Sequence, residues 1–351
     1  MTSSKTTVGI LFGGQSGEHD VSLMSVQSVL AAIDHERYDI VLMGIDKNGR
    51  WLFDHPLERL LAGESAPANA PRWPDHAHLA GVDIIFPVLH GPFGEDGVVQ
   101  GFFELAGIPY VGNGVLASAL AMNKAVAKRL FSAYGLTQTP WQSLTRTQLL
   151  KAPEYVIARL EGMLAYPMFT KPANLGSSVG IRKANDRREL LSGLREAADY
   201  DIIIVVEQAV SHVREIEVSV MGNENPQASL PGEIIPSNEF YDYEAKYLSG
   251  SSEERIPAPI SDQLTFQAQK MAIMAFRAIQ GSGLARVDFL LNDATGTLFL
   301  NEINTMPGFT NISMFPKLWE ASGIPYTELI HRLIQLGFER HYRQHARRSP
   351  S

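Results

Sequence analysis

The stretch that decides the fold is residues 286–310, which read Arg-Val-Asp-Phe-Leu-Leu-Asn-Asp-Ala-Thr-Gly-Thr-Leu-Phe-Leu-Asn-Glu-Ile-Asn-Thr-Met-Pro-Gly-Phe-Thr. Residues 292–296 are turn formers between two apolar runs, a pattern that predicts a β-hairpin. Because side chains alternate between the two faces of a strand, a hairpin folded symmetrically about Thr295 places Asp288 opposite Glu302. Two facing carboxylates repel each other, and a sheet has no structural reason to pair them.

The same pairing places Arg286 opposite Asn304, so one face of the hairpin is polar. Oxygen ligands from Asp, Glu and Asn are typical of magnesium, so Asp288, Glu302 and Asn304 together predict a magnesium site. The alternative is a solvated face that carries an Arg–Asp pair. The Met-Pro-Gly-Phe segment directly after the hairpin argues against that alternative. The opposite face is expected to point into the core through Val287, Phe289, Phe299 and Ile303.

The composition is typical of a globular protein with two or three domains. The chain has 351 residues, of which 45% are hydrophobic and 19% charged, and its formal net charge is −8. This balance indicates neither disorder nor nucleic-acid binding. The absence of cysteine excludes disulfides and thiolate chemistry. Neither a signal pattern nor a membrane-length apolar run is visible, so we expect a soluble, cytoplasmic protein with no membrane partner.

The N-terminal residues predict a βαβ unit, with a strand at 8–12, a glycine-rich loop at 13–17, a helix, and a second strand at 39–45. Asp46 at the end of the second strand would suit a dinucleotide-binding domain. However, Phe12 occupies the position of the first glycine of the G-x-G-x-x-G fingerprint, so that pattern is broken.

Glu18 lies at the mouth of the first predicted helix, where an acidic side chain would repel a pyrophosphate. An ammonium group is a better guest for this carboxylate. The alternative is an acid that only satisfies the helix dipole, and the residues alone leave both interpretations open.

A second candidate follows the predicted buried strand at 82–89. His90 opens the segment 90–97, His-Gly-Pro-Phe-Gly-Glu-Asp-Gly, whose glycines keep the loop tight. Ligands of open α/β sheets bind at the carboxyl ends of the strands, which is where His90 is expected. A buried structural histidine is the alternative.

A strand that ends at Lys171 runs into a small-residue loop containing Gly176, Ser177 and Ser178. A lysine beside free backbone N–H groups is what binding phosphate oxygens requires. A plain turn would explain the glycines but not the lysine together with the serines, and the order differs from a Walker A motif. Lys124, near the start of another predicted helix, opposes the helix dipole, so it has another partner or is solvated.

The predicted strand at 201–206 continues into a segment that could bind an adenine through backbone groups. Its residues are Glu207, Gln208, Ala209 and Val210, with Glu215 shortly after.

Together these segments resemble the D-alanine–D-alanine ligases of the ATP-grasp superfamily over nearly the whole chain. The matching motifs occur in one order: residues 12–18 (Phe-Gly-Gly-Gln-Ser-Gly-Glu), 90–97, 171–180 (Lys-Pro-Ala-Asn-Leu-Gly-Ser-Ser-Val-Gly), 240–247 (Phe-Tyr-Asp-Tyr-Glu-Ala-Lys-Tyr), 286–288 and 301–310. One departure is the segment 207–210, because many relatives carry a lysine and a bulkier residue there.

The resemblance implies an α/β protein of the ATP-grasp fold. An N-terminal open α/β (pre-ATP-grasp) domain at 1–121 would precede two α+β domains that sandwich ATP between antiparallel sheets. The central ATP-grasp domain would span 122–212. The C-terminal ATP-grasp domain would span 213–351 and include a lid loop at 237–255. The family also implies a homodimer.

The implied activity is ATP-dependent ligation of two D-alanines through an acyl phosphate, with release of ADP and phosphate, for peptidoglycan precursor synthesis. Two Mg²⁺ ions, for which Mn²⁺ could substitute, would be bound by Asp288, Glu302 and Asn304. The phosphates would contact Lys124, Lys171 and the amides of Gly176, Ser177 and Ser178. Adenine and ribose would contact Glu207, Gln208, Ala209, Val210 and Glu215.

The resemblance also implies the substrate contacts. Glu18 would bind the first ammonium beside His90, and Ser313 with the Met314 amide would bind the second carboxylate. Arg286 and the Gly308 N–H would stabilise the oxyanion of the tetrahedral intermediate. Lys246 and Tyr247 of the lid would cover the site and exclude water from the acyl phosphate.

Two other classes of protein compete with this interpretation. A nicotinamide-dependent dehydrogenase would use the first βαβ unit, but the broken glycine pattern and the polar hairpin argue against it. A non-catalytic ATP-binding regulator would share the phosphate contacts, but it would have no reason to keep Arg286 and Ser313 together.

Overall fold

The computed structural model describes residues 5–176, 179–235 and 253–346. Their strands form three separate β-sheets. Four expected site residues, Ser177, Ser178, Lys246 and Tyr247, lie outside the described residues, as does the expected lid before residue 253. In the part of the chain that is described, no helix combines the length and the apolar character needed to cross a bilayer.

The first part of the chain forms a mainly parallel sheet. Its elements, in order, are β1 (Thr6–Gly13), α1 (His19–Ala32), β2 (Tyr38–Ile45), β3 (Trp51–Leu52), α2 (Pro56–Leu61), α3 (His76–Leu79), β4 (Ile84–Val88), α4 (Val98–Ala106) and α5 (Val115–Met122). The strand order is β3-β2-β1-β4, with only β3 antiparallel to its neighbour. Every side chain of β4 is buried, which is typical of a parallel strand covered on both faces.

The second part forms a four-stranded antiparallel sheet with the order β5-β8-β6-β7. Its elements are α6 (Lys124–Ala133), β5 (Trp141–Thr145), α7 (Arg146–Lys151), α8 (Pro153–Glu161), β6 (Met168–Pro172), β7 (Arg182–Ala184), α9 (Arg187–Tyr200) and β8 (Ile203–Gln208).

The third part forms the largest sheet, with the order β12-β11-β9-β13-β14 and with β10 beside β9. Its elements are β9 (Val213–Gly222), β10 (Gln227–Ala228), β11 (Gly232–Ile235), β12 (Glu253–Arg255), α10 (Asp262–Ala278), β13 (Gly283–Asn292), β14 (Thr297–Asn304), α11 (Met314–Ala321) and α12 (Tyr326–Ala346). Its pairings are antiparallel, so the chain has the two antiparallel sheets that were expected.

The hairpin of β13 and β14 has the predicted register near its open end. Asp288 pairs with Glu302, and Arg286 pairs with Asn304. The polar row that the sequence predicted is therefore confirmed.

Nearer the turn the prediction fails at one position. The register shifts after Asp288, since Phe289 pairs with Leu300 and Asn301 becomes the extra residue of a β-bulge. The bulge reverses the alternation along β14, so Leu298 and Leu300 are buried while Phe299 is only half-buried on the opposite face. The expectation that Phe299 faces the core is wrong for this reason, whereas those for Val287, Phe289 and Ile303 are correct.

The last helix, α12, packs against the first sheet as well as against β9 and β13 of its own sheet. Its buried side chains belong to the same core cluster as residues of β1 and β4, and they are Leu329, Ile330, Leu333 and Ile334. Gly337 allows this approach, because a Cβ there would lie 2.8 Å from the carbonyl oxygen of Tyr110. Arg340 completes the contact, with its guanidinium carbon 3.7 Å from the centre of the Tyr110 ring.

Candidate functional site

One wall of the candidate site is a cluster of lysines around a buried glutamate on β8. Glu207 lies 3.3 Å from the Lys128 Nζ and 3.2 Å from the Lys171 Nζ. Burial alone would raise the pKa of Glu207, but the two lysine charges outweigh it and the pKa is lowered. Burial lowers the pKa of Lys128, and Glu207 offsets only part of that effect. This wall has a net positive charge.

Lys124 extends the same wall towards the phosphate-binding loop predicted from the sequence. Asn123 caps α6 by accepting a hydrogen bond from the Val126 N–H, so Lys124 is the first residue of the helix. Its Nζ donates to the Leu175 carbonyl at 2.6 Å and lies 3.5 Å from a carboxylate oxygen of Glu302. The sequence left open whether this lysine has a partner, and the structure provides both a loop carbonyl and a carboxylate of the hairpin.

The opposite wall is a row of carboxylates around one arginine. Arg286 donates to both carboxylate oxygens of Asp288, each at 2.7 Å, and its Nε lies 3.0 Å from Glu217. Asp288 pairs with Glu217 on the β9 side and with Glu302 on the β14 side, so three carboxylates stand in a line across three strands. This wall has a net negative charge.

The two walls meet in one narrow cavity. Its charged lining comes from both sheets and from α6, namely Lys124, Lys128, Lys171, Glu207 and Glu302. The phosphate-binding and metal-binding residues predicted from separate motifs are therefore neighbours in space.

The hairpin donors fit magnesium in kind. Asp288, Glu302 and Asn304 offer only oxygen ligands among their acceptors, and Mg²⁺ commonly takes one or two carboxylates together with substrate phosphates and water. Across residues 5–176, 179–235 and 253–346, no three acidic or histidine side chains converge as a ready-made metal site. The fit is therefore that of a metal which would arrive with the phosphates, and Asp288 would have to share its charge between that metal and Arg286.

Glu18 is buried, at 8% exposure, and is not a helix cap. It occupies the N-cap position of α1, but its side chain makes no capping hydrogen bond. A Cβ at Gly91 would lie 2.5 Å from its carboxylate and one at Gly176 would lie 3.5 Å away, so Glu18 faces both glycine loops. Of the two interpretations left open by the sequence, this geometry favours a ligand-binding carboxylate.

Glu95 is a second buried carboxyl group near Glu18. It accepts a hydrogen bond from the Gly91 N–H at 2.8 Å. Burial first, and the charge of Glu18 second, raise its pKa well above the usual range. Glu95 therefore holds its proton to a higher pH than an ordinary glutamate does.

His90 connects α1 to the loop that follows the hairpin. Its Nδ1 lies 3.1 Å from the Met306 carbonyl, and its Nε2 lies 3.0 Å from the Ser25 Oγ. The carbonyl can only accept, so Nδ1 carries the proton and Nε2 accepts from the serine. Burial lowers the pKa of His90 and favours this neutral form. Both ring nitrogens bond to protein, so His90 positions the Met306 loop.

That loop leads into the N-terminus of α11. A Cβ at Gly308 would lie 2.6 Å from the Ser313 Oγ, so only glycine fits there. The Ser313 Oγ lies 2.7 Å from the Thr310 Oγ1 and accepts from the Thr310 N–H at 3.1 Å. Gly308, Ser313 and the Met314 amide are thus brought together at a helix N-terminus, where a carboxylate is favoured. The Met314 side chain is buried in a small apolar cluster and points elsewhere.

The expected adenine segment is partly used by the protein itself. The Gln208 N–H donates to the Pro140 carbonyl and the Ala209 N–H donates to the Pro167 carbonyl, both at 2.9 Å. Val210 and Glu215 are half-buried. A base at this edge would therefore have to bind through groups other than these two amides.

Asp46 stabilises the turn that follows β2. It is 1% exposed, and its carboxylate accepts from the backbone N–H groups of Asn48, Arg50 and Ala66 at 2.8, 2.9 and 2.9 Å. Its role at the end of β2 is explained without a dinucleotide.

Sequence reasoning missed three charged residues of the site. Lys128 carried a usable signal, since it follows Lys124 by one helical turn and shares its face. No sequence pattern marked Glu217 or Glu95. The pairing of β9 with β13 places Glu217 in the site, and the folding of the 90–97 loop places Glu95 there.

Comparison with known proteins identifies the family. The model of the D-ala D-ala ligase N-terminus matches residues 7–113, and that of the D-ala D-ala ligase C-terminus matches residues 130–335. The chain is 50% identical to a D-alanine–D-alanine ligase of Heliobacterium modesticaldum, over 98% of this chain and 97% of the relative. It is 48% identical to one of Ruminiclostridium cellulolyticum, over 96% of each.

Solved structures agree. The D-alanine-D-alanine ligase from Coxiella burnetii superposes with a TM-score of 0.84 at 36% identity, covering 98% of this chain and 97% of the other. The VanG D-Ala:D-Ser ligase from Enterococcus faecalis superposes with a TM-score of 0.84 at 32% identity, covering 95% and 100%. The expected α/β ATP-grasp fold is confirmed, and the chain belongs to the D-alanine–D-alanine ligase family.

Proposed function

We propose that this protein joins two D-alanines to D-alanyl-D-alanine with consumption of ATP, as a step of peptidoglycan precursor synthesis. The observation that supports this most directly is the cavity in which the lysine wall faces Glu302 of the carboxylate wall, with Lys124 and Glu302 only 3.5 Å apart. A triphosphate needs cations on one side, and its magnesium ions need oxygen ligands on the other.

The lysine wall would bind the nucleotide. Lys124 and Lys171 would contact the phosphates, together with the Gly176 amide at the start of the loop. Glu207, Gln208, Ala209, Val210 and Glu215 would border the adenine and ribose. Lys171 now lies 3.2 Å from Glu207, so a phosphate would compete with that carboxylate for the lysine.

Asp288, Glu302 and Asn304 would hold magnesium, with manganese as a substitute. The metal would neutralise charge on the triphosphate and on the phosphoryl group in transfer. The protein's part is to keep two carboxylates and one amide on neighbouring strands, within reach of the lysines that bind the same phosphates.

The first D-alanine would bind with its ammonium at Glu18, and its carboxylate would attack the γ-phosphorus of ATP to give an acyl phosphate and ADP. The amine of the second D-alanine, once deprotonated, would attack the acyl carbon. Arg286 and the Gly308 N–H would stabilise the resulting oxyanion. Ser313 and the Met314 N–H would bind the second carboxylate, and phosphate would then leave.

The proposal extends to the organisation of the chain. Each of the three sheets falls in one of the ranges 1–121, 122–212 and 213–351, and we propose these as the domains. We also propose a cytoplasmic homodimer, since the substrates of a peptidoglycan precursor ligase are ATP and free D-alanine.

The activity is tested by coupled ADP release across a panel of amino acids, followed by analysis of the products. We expect D-alanine to drive ADP release and D-alanyl-D-alanine to accumulate. ADP release that is independent of D-alanine would refute the proposal. The same assay with D-serine and D-lactate as second substrates identifies the acceptor, because one structural relative is a D-Ala:D-Ser ligase. We expect the dipeptide with D-alanine to dominate near neutral pH.

A further inference from the structure

Arg286 contacts two carboxylates, one two residues along its own strand and one on the neighbouring strand β9. Its Nε and one terminal nitrogen bind both oxygens of Asp288, which is on the same strand. The same Nε lies 3.0 Å from Glu217 on the neighbouring strand β9. The side chains of Arg286, Asp288 and Glu217 are 17%, 14% and 7% exposed, so solvent screens these contacts little.

The proposed function makes two demands on Asp288 that compete. A carboxylate that binds Mg²⁺ places an oxygen about 2.0–2.1 Å from the ion. Both oxygens of Asp288 accept hydrogen bonds from the planar Arg286 fork, so the ion would compete with the arginine for the charge and the orientation of this carboxylate. As Asp288 turns to the metal, its bidentate contact with Arg286 weakens at the stage when Arg286 must be well placed for the oxyanion.

Glu217 is the group that can hold Arg286 through this exchange. It pairs with Asp288 across β9 and β13, on the side away from Glu302. Neighbouring strands are about 4.8 Å apart, so Glu217 and Glu302 stand on strands roughly 10 Å from each other. Glu302 is next to Lys124 and the phosphate loop, whereas Glu217 is almost fully buried behind the arginine. The position of Glu217 suits a residue that holds Arg286 better than it suits a metal ligand.

We propose that Glu217 is a positioning residue that keeps Arg286 in place when Asp288 releases it to bind magnesium. This inference rests on the proposed function. In the ligand-free protein Arg286 shares its charge between Asp288 and Glu217. In the loaded protein Glu217 alone holds the Nε, and the terminal nitrogens of the guanidinium face the reacting carbon. Glu217 therefore makes release of Asp288 easier and fixes the oxyanion donor, without touching substrate or metal.

The test is Glu217→Gln, which keeps the shape of the side chain and removes its charge. We expect kcat to fall roughly 10- to 100-fold, as for a small misplacement of a reacting group. The KM for D-alanine should change little. We also expect Mg²⁺-dependent binding of ADP, measured by calorimetry, to weaken by roughly tenfold, because Asp288 becomes the main partner of Arg286 and gives it up less readily. This second readout needs no turnover.

Glu233→Gln is the matched control. Glu233 is also a buried glutamate of this sheet and lies on β11, next to β9. It accepts two hydrogen bonds from Arg214 of β9, at 2.6 and 2.9 Å. Loss of a buried charge costs both variants stability, but only Glu217→Gln should lose turnover and Mg²⁺-dependent ADP binding. Equal effects of the two substitutions on all three measurements would overturn the proposal.

If circular dichroism shows that Glu217→Gln does not fold, Glu217→Asp takes its place in the test. This variant keeps the negative charge but shortens the side chain by one methylene group. That variant should show a smaller loss of kcat with ADP binding closer to that of the unmodified protein, and an unchanged kcat in it would refute the proposal. Failure of the proposed function is distinguishable, because the unmodified protein would then release no ADP in response to D-alanine.

Discussion

The two walls of the cavity carry opposite excess charges, and each contains one group of the other sign. On the β8 side, Lys128 and Lys171 contact one buried glutamate, Glu207, and Lys124 lines the same cavity. On the hairpin side, three carboxylates line up around one arginine, Arg286. In each wall this counter-charge is largely buried. The comparison teaches that a cluster of like charges can be built into a protein wall when one largely buried counter-charge lies at its centre.

The largest expected effect comes from Glu302, the residue that links the two walls. Glu302→Gln should nearly abolish turnover, because the hairpin loses a charged ligand for magnesium. The free energy of unfolding should stay within about 1 kcal/mol, since relief of repulsion with Asp288 offsets the weakened contact with Lys124, in a pair whose Glu302 side chain is 35% exposed. Steady-state kinetics at saturating Mg²⁺ and a urea titration check both. Near-normal turnover would show that Glu302 is not a metal ligand.

The next effect tests the centre of the carboxylate wall. Arg286→Lys should reduce kcat by about two orders of magnitude, roughly 3 kcal/mol, because a point charge cannot replace the planar fork at the oxyanion. The KM values should change much less. The measurement is kcat and KM for each substrate separately. A normal kcat with only a raised KM would assign Arg286 to ground-state binding.

A smaller effect tests the lysine wall. Lys128→Met should lower the free energy of unfolding by about 1–2 kcal/mol. Removal of one partner from a buried ion pair typically costs roughly 3–5 kcal/mol. The loss should be smaller here because Glu207 keeps Lys171 and Thr139 as partners. The KM for ATP should rise, since Glu207 then competes harder for Lys171. Urea unfolding and ATP kinetics measure these effects.

Lys317→Met is the control for that variant. Lys317 pairs with the partly exposed Glu254 at 2.6 Å, and such pairs contribute about 0–1 kcal/mol. Adding Glu207→Gln to Lys128→Met should recover part of the lost stability, with a coupling of about 1–3 kcal/mol. Equal losses in Lys128→Met and Lys317→Met would mean that the buried cluster contributes no more than a surface pair.

The smallest effect concerns Glu95, a buried carboxyl group whose pKa is raised. Burial and then Glu18 raise its pKa, so the folded protein retains a proton that the unfolded chain releases. Stability therefore falls as pH rises from the ordinary value of 4.5 towards the raised pKa. Glu95→Gln removes this penalty. Unfolding free energies across a pH series should show the variant gaining on the unmodified protein as pH rises above 4.5. A constant difference would show that Glu95 is ionised in the folded state.

The sequence predicted those parts of the site that depend on local patterns. The register of Asp288 with Glu302 followed from strand alternation and a turn, and Lys171 followed from a strand that ends in a glycine-rich loop. Phe299 was misplaced because a bulge adds one residue to β14, and nothing in the run Leu-Phe-Leu-Asn marks where alternation breaks.

Contacts between distant segments could not be predicted. Glu217 reaches Arg286 only because β9 pairs with β13, although dozens of residues separate them along the chain. The helical spacing places Lys128 on the same face as Lys124, but only the packing of α6 against β8 gives it Glu207 as a partner. Alternation and turn signals describe neighbours in sequence, whereas these charges obtain their partners from tertiary packing.

The return of α12 to the first sheet has a consequence for how the protein is made. The core around β1 and β4 includes Leu329, Ile330, Leu333 and Ile334, which lie far from these two strands in the sequence. The segment that forms β1 and β4 is synthesised first, yet its apolar surface is not fully covered until α12 has been made. Domains that fold one after another from the N-terminus can finish each core in turn. Here the first core must wait for α12, so a polypeptide truncated before residue 326 would expose apolar surface on its first sheet.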